Sequence, residues 1–183
     1  LARGFTIIEM MMVIAFIVIL ITLAAPSMRT MILTNQVRSF TGDLLGDLAL
    51  ARSEASKRSA NVVMCTSSDQ STCDSTAEWT TGWVVFVDAD RSGSRSTSGT
   101  AEPVLRLKDV ANGGTAQNPE KTVVQVTNTG APKVLTFQSI GTGTSGDILV
   151  CPRGLTTADS GIKGRKITLN VLGKLQTADA TCS

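Results

Sequence analysis

The chain has 183 residues, no His and no Tyr, and 17 Lys+Arg against 15 Asp+Glu, a net charge of +2. That length fits one domain, or one domain with an appendage, and near-neutrality argues against a protein held on nucleic acid by bulk charge. The missing His removes Ser/His/Asp triads, Cys/His dyads and His-ligated zinc.

From Phe5 to Ala25 the only ionisable residue is Glu9, and Met10 to Ala25 is apolar except for Thr22. As a helix this stretch reaches roughly 31 Å, the thickness of a bilayer core. Arg3 lies before it and Arg29 and Arg38 after it, so the flanking charge sets no decisive orientation. A secretory signal cut after Leu23-Ala24-Ala25 would leave Pro26 next to the cut, a poor context, and the run is longer than a usual signal core. A plain anchor leaves Glu9 unexplained, because a carboxylate in the bilayer costs roughly 2.5–3.5 kcal/mol.

Beyond Pro26 the helix changes character. Val37, Phe40, Leu44, Leu48, Ala51 and Ala55 recur at steps of three and four, with Leu45 widening the stripe. This predicts an amphipathic helix to about residue 60, with Arg38, Asp43, Asp47, Arg52 and Glu54 on its solvated face. Lys57 and Arg58 suit the negative end of the helix dipole, while Pro26 and Gly42 are its weak points. Arg52-Ser53-Glu54-Ala55 fits a solvated helix face better than a basic surface site.

From residue 61 the pattern is β. Strands are predicted at residues 61–65, 82–88, 104–107, 122–126, 134–137, 147–150 and 166–171, separated by Ser/Thr/Gly-rich turns at 90–100, 112–119 and 141–146. The second strand is almost wholly apolar and therefore central; the last alternates, so one of its faces is wet. One long helix followed by these strands predicts an α+β head whose antiparallel sheet packs on the helix stripe.

Two sets of residues carry a family resemblance. Gly4-Phe5-Thr6-Ile7-Ile8-Glu9, followed by an apolar run ending at Pro26, resembles the type IV pilin signature. Arg52-Ser53-Glu54-Ala55, a strand ending at Cys65, and Trp79-Thr80-Thr81-Gly82-Trp83-Val84-Val85-Phe86-Val87-Asp88 resemble the GspH/FimT/FimU family of pilin-like proteins, most closely its FimU-type minor pilins. The resemblance spans the whole chain. It implies the type IV pilin fold: a leader remnant (residues 1–4), a hydrophobic transmembrane and filament-core helix (5–29), an amphipathic helix (30–60) and a β-rich head (61–183). A prepilin peptidase would cut after Gly4 and methylate the amine of Phe5. The carboxylate of Glu9 would meet the free amine of a neighbour's Phe5 and pin the register, each ion offsetting the other's burial. The helix would melt near Pro26 on packing.

The implied partners are other minor pilins, the major pilin and the inner-membrane assembly platform. The implied location is the inner membrane of a Gram-negative bacterium, head in the periplasm, and then the extracellular pilus. The function expected is a minor pilin that primes assembly and joins tip pilins to the shaft. A type II secretion pseudopilin and a DNA-binding competence pilin are the alternatives. No enzyme, catalytic residue or cofactor is expected.

An exported chain with four cysteines can form disulfides in three connectivities. Cys65–Cys73 and Cys151–Cys182 are favoured, the first stapling a loop and the second tying down the C-terminus. A metal site is not expected, for there is no Cys-x-x-Cys and no His. Asp88-Ala89-Asp90-Arg91-Ser92-Gly93 echoes a Ca²⁺ loop, but Gly99 stands where a bidentate Glu belongs, so an acidic turn is favoured. Arg153, Lys163, Arg165, Lys166 and Lys174 outnumber Asp159 and Asp179 in the C-terminal third. FimT-like proteins carry a DNA-contacting Gly-Arg-x-Arg there; Gly173-Lys174-Leu175-Gln176 keeps one basic residue. Arg165, Lys166 and Lys174 are thus the candidate DNA contacts, with DNA not the expected partner.

Overall fold

The computed structural model describes residues 6–97, 102–109, 124–129, 133–154 and 162–182; the side chains of 23–27, 29, 109, 124, 125 and 127–129 are outside this set. Helix α1 (Ile7–Arg58) is 52 residues long and runs through position 26. Thr6 caps its start: the Thr6 side chain accepts from the Glu9 N–H at 3.3 Å. Ser59, at φ 50°, closes its end by donating its N–H to the Ala55 carbonyl. Glu54 holds Arg58 and Lys57 across that last turn, an exposed cluster worth little by itself.

The head is two four-stranded antiparallel sheets. The first has the order β3-β2-β1-β5, from β1 (Asn61–Thr66), β2 (Gly82–Asp88), β3 (Val104–Asp109) and β5 (Val134–Phe137). The second has the order β4-β6-β7-β8, from β4 (Val124–Thr129), β6 (Gly146–Pro152), β7 (Lys163–Leu169) and β8 (Leu175–Thr181). Helix α1 packs on strands of both. Its stripe of Val37, Phe40, Leu44, Leu48, Ala51 and Ala55 is buried in one cluster with Met64, Trp83, Phe137, Ile148 and Ile167. Strand β2 is buried along its whole length and is internal to its sheet, as its apolar sequence requires.

Three expectations need correction. Strand β8 was not predicted: Leu175-Gln176-Thr177-Ala178-Asp179-Ala180-Thr181 is a polar, mostly exposed edge strand with no apolar alternation to reveal it. Strand β7 begins at Lys163 and ends at Leu169, so Val171 lies in a turn. Asp47 is not on the solvated face. Only 4% exposed, its carboxylate accepts from Trp83 Nε1 at 2.8 Å and from Arg106 Nε at 3.0 Å, joining α1 to β2 and β3. Strand β4 starts at Val124; residues 122 and 123 and the turn at 112–119 lie outside the described residues.

Cys65 is bridged to Cys73 and Cys151 to Cys182, with Cα–Cα distances of 5.5 and 5.8 Å. The second bridge lies over Gly164, where a Cβ would come within 2.5 Å of Cys182 Sγ and 2.6 Å of the Val150 carbonyl oxygen. Glycine is therefore required at that point of β7.

Two outcomes follow for the detergent-solubilised chain. Asp47→Ala leaves the buried Trp83 N–H unsatisfied, whereas Arg106, well exposed, finds water; the net loss should be about 2 kcal/mol by denaturant titration. Cys182→Ser opens a loop spanning 31 positions and should cost roughly 2–4 kcal/mol. Equal midpoints for variant and parent would contradict either account.

Candidate functional site

The first half of α1 carries the strongest functional signal. Every large apolar side chain from Ile7 to Ile21 is exposed, on all sides of the helix, from 84% for Ile7 to 47% for Val13 and Ile17. A helix apolar all round is stable only when something apolar surrounds it. Among the described residues, no helix is long and apolar enough to cross a membrane: the fully described apolar stretch stops at Thr22, and the sequence expectation extends past it over residues 23–27. Gly4 and Phe5 lie outside the described residues.

Glu9 is the one charge in the stretch Ile7–Ile21, exposed in the first turn of α1. Its place has a local cause that the sequence reading missed. Thr6-Ile7-Ile8-Glu9 has the spacing of a capping box, in which an N-cap Thr is followed three residues later by Glu. The carboxylate also stands at the positive end of the helix dipole. Any assembly role for Glu9 must be separated from this one.

The basic C-terminal third does not form one surface. Arg165 is opposite Asp179 in the β7–β8 register and pairs with it. Lys166, the next residue and so on the other face of the sheet, pairs with Asp147 at 2.6 Å and holds that carboxyl below the usual range. Lys163 lines a cleft of about 200 Å³ with Arg38 and Arg165, which Asp179 also enters. Lys174 is at another place, beside Arg52 of α1. The sequence count overlooked Asp147, and period-two alternation separates Arg165 from Lys166.

Two acidic loops flank the first sheet. After β1, Asp69 accepts from the backbone N–H groups of Thr72 and Ser71, which hold its carboxyl far below the usual range. In the same loop Asp74 is lowered to about 2, first by the Thr76 hydroxyl and then by that of Ser68. After β2, the carboxylates of Asp88, Asp90 and Glu102 lie within 4.8 Å of one another. Asp88 accepts from Ser92 and Gly93 N–H, and Glu102 from Ala89 and Ser96 N–H, so backbone donors occupy the buried pair. Burial nevertheless pushes the Asp88 carboxyl upward. Glu102, outside the Asp88-to-Gly93 motif, is the member that sequence spacing could not supply.

With this geometry in place, the comparisons give the family. The family model described as Type II transport protein GspH matches residues 41–173, and the chain belongs to that family. It has the minor pilin and pseudopilin fold. Two crystal structures of the type IV minor pilin FimU of Pseudomonas aeruginosa (strain PAO1) are similar at 22% identity: one with a TM-score of 0.52 over 79% of this chain and 89% of that one, the other with 0.50 over 77% and 91%. The minor pseudopilin EpsH of Vibrio cholerae aligns at 13% identity and a TM-score of 0.46, over 79% of this chain and 97% of that one. No curated protein matches the chain in sequence.

Asp88 should titrate in the opposite sense to Asp69 and Asp74. Asp69 and Asp74 have folded pKa values below the unfolded value of about 4. Their stabilisation is present above that pH and is lost as pH falls through the folded values. Asp88 is raised, so its contribution favours the folded state in acid and is lost as pH rises through its folded pKa. Amide NMR shifts of Ser71, Thr72 and Thr76 should move only well below pH 4, and that of Gly93, which donates to Asp88 alone, above it. One common midpoint near 4 would contradict the assignment.

Proposed function

We propose that this chain is a minor pilin of a type IV pilus, which helps to prime assembly and joins tip pilins to the major pilin shaft. The observation that carries the reading is the all-round apolar half of α1, exposed next to a head of FimU-like fold. Such a half-helix needs an apolar environment twice: in the inner membrane before assembly, and among other pilin helices afterwards. In this reading a prepilin peptidase cuts after Gly4 and methylates Phe5, the assembly platform extracts the subunit, and the helix loosens near Pro26 as it packs. Glu9 pairs with a neighbour's Phe5 amine. The head stays in the periplasm until the filament leaves the cell. A second reading, a minor pseudopilin of type II secretion, is favoured by the description of the matching family. The capping-box spacing, of which the Thr6 side chain makes its half, makes the test sharper. Glu9→Gln keeps a residue that serves a capping box but removes the charge; Glu9→Ala removes both. If Glu9 acts by pairing with an amine, both variants insert in the membrane and both fall at least about tenfold in sheared filaments, since an unpaired buried amine is strongly destabilising. Normal incorporation of Glu9→Gln would reduce Glu9 to a cap. N-terminal sequencing of filament protein should begin at methylated Phe5. Filaments that are pili, lost on deletion while secretion continues, support the first reading; lost secretion with intact pili supports the second.

A further inference from the structure

Two motifs singled out in the sequence, far apart in the chain, meet in the structure. Ala49, Arg52, Ser53 and Ser56 form one face near the C-terminal end of α1, and Lys174 of the β7–β8 turn and Leu175, which opens β8, stand against it. Together they line an open groove of about 530 Å³. The floor is Ala and Ser, small enough for another chain to approach closely. The two polar walls, Arg52 and Lys174, are both cationic.

The walls are fixed. Arg52 donates to the Leu172 carbonyl oxygen at 3.1 Å. Asn170 Oδ1 accepts from the Lys174 backbone N–H at 2.8 Å. Gly173 has φ +68°, and a Cβ there would lie 2.4 Å from the Gly141 carbonyl oxygen and 2.9 Å from Arg52 Nε, so only glycine lets this turn press against the helix. Lys57, Arg58, Lys108, Lys133, Arg165 and Lys166 all have carboxylate partners. Among the described residues, no hydrogen bond or ion pair engages the Lys174 ammonium group, and no carboxylate lines the groove.

An apolar lip adjoins it. Val171 and Leu172 are 63% and 67% exposed at the tip of the β7–β8 turn, and Ile140 is 79% exposed in the turn after β5. The Gly143 N–H donates to the Val171 carbonyl at 3.0 Å, which holds the two turns together. The Arg52 bond to the Leu172 carbonyl ties this turn to the groove wall.

We propose that this groove receives a carboxylate-bearing segment of a neighbouring subunit, with the acid between Arg52 and Lys174 and an adjacent apolar side chain on Ile140, Val171 and Leu172. The inference rests on the filament-subunit reading above. Charge complementarity selects an acid, since two cations with no lining anion attract one and disfavour a basic partner. The lip selects protein over nucleic acid: phosphodiester contacts gain nothing from three aliphatic side chains, and the groove has no aromatic ring on which a base would stack. The Lys174 side chain is also free of any role in holding the turn, which depends on its backbone N–H.

The test uses the full chain in cells that assemble it, with a photo-crosslinking phenylalanine derivative in place of Ser56. Filaments are sheared, irradiated and mapped by mass spectrometry. The expected product joins position 56 to a segment of another subunit that carries Asp or Glu beside an apolar residue. Lys174→Glu should lower its yield about tenfold, and Lys174→Arg should keep it. Changing the captured acid to Lys should restore the yield with Lys174→Glu. Limited proteolysis should show both Lys174 variants to be folded. A product with nucleic acid or with a segment lacking a carboxylate, or a yield unchanged in Lys174→Glu, would overturn the proposal. Immunoblots of the same filaments separate two failures. A chain present in filaments without the acid-dependent product refutes the groove alone; a chain absent from them refutes the subunit reading and this inference with it.

Discussion

The buried stripe of α1 is the constraint on which the head depends. Leu44, Leu48, Ala51 and Ala55 are fully buried, and strands of both sheets pack on the helix that carries them. Neither sheet is large enough to form a core by itself. The first has a short edge strand of four residues in β5, and the second ends in a polar strand, β8. Helix α1 supplies the apolar surface they share. The alanines near its C-terminal end allow close approach of the sheets. Asp47 then sets the rotation of the helix. It stands three residues after Leu44 and four before Ala51, inside the stripe rather than opposite it. A carboxylate there is tolerated because Trp83 and Arg106 satisfy it. Turning the helix would separate all three groups at once.

The same point shows where sequence reasoning stopped. Periodicity located α1, and β2 and β5 were legible to the residue, because each is apolar enough to be buried whatever its neighbours are. Asp47 was placed in solvent because a lone acid usually belongs there. Its partners come from strands 36 and 59 residues further on, and no local pattern announces them. Strand β8 escaped for the opposite reason. As an edge strand it buries little, so its sequence bears no mark of the core. The division of the head into two sheets was also illegible, since strand patterns record burial and not partner choice.

The two halves of α1 solve different problems with one continuous helix. From Val37 to Ala55 the apolar residues form a stripe, and one protein face satisfies it. From Ile7 to Ile21 they surround the axis, so no single face of a head could cover them. A chain of this kind is incomplete when isolated, whether lipid or other helices complete it. The N-terminal cap matters more in such a place than on an ordinary surface helix. The first-turn N–H groups have no intrahelical acceptors, and in an apolar environment water does not replace them. The Thr6 hydroxyl serves one of these N–H groups.

Charge in the head is handled differently in the loops and on the sheets. Carboxylates in the loops are held by backbone N–H groups and hydroxyls: Asp69 and Asp74 after β1, Asp88 and Glu102 after β2. After β1 these bonds hold Asp69 and Asp74 in the charged form, whereas at Asp88 burial outweighs them. On the second sheet Arg165 is paired with Asp179 and Lys166 with Asp147, while Lys163 lines a cleft with Arg38 and Arg165. These exposed pairs add little stability, but they cancel the field that a basic third of the chain would otherwise project. A long-range attraction to polyanions is thereby removed from most of the head. At the groove beside Gly173, two cations share a small space in which, among the described residues, no acid stands between them. Such a place is selective, because a partner acid is drawn to a defined position between two fixed cations.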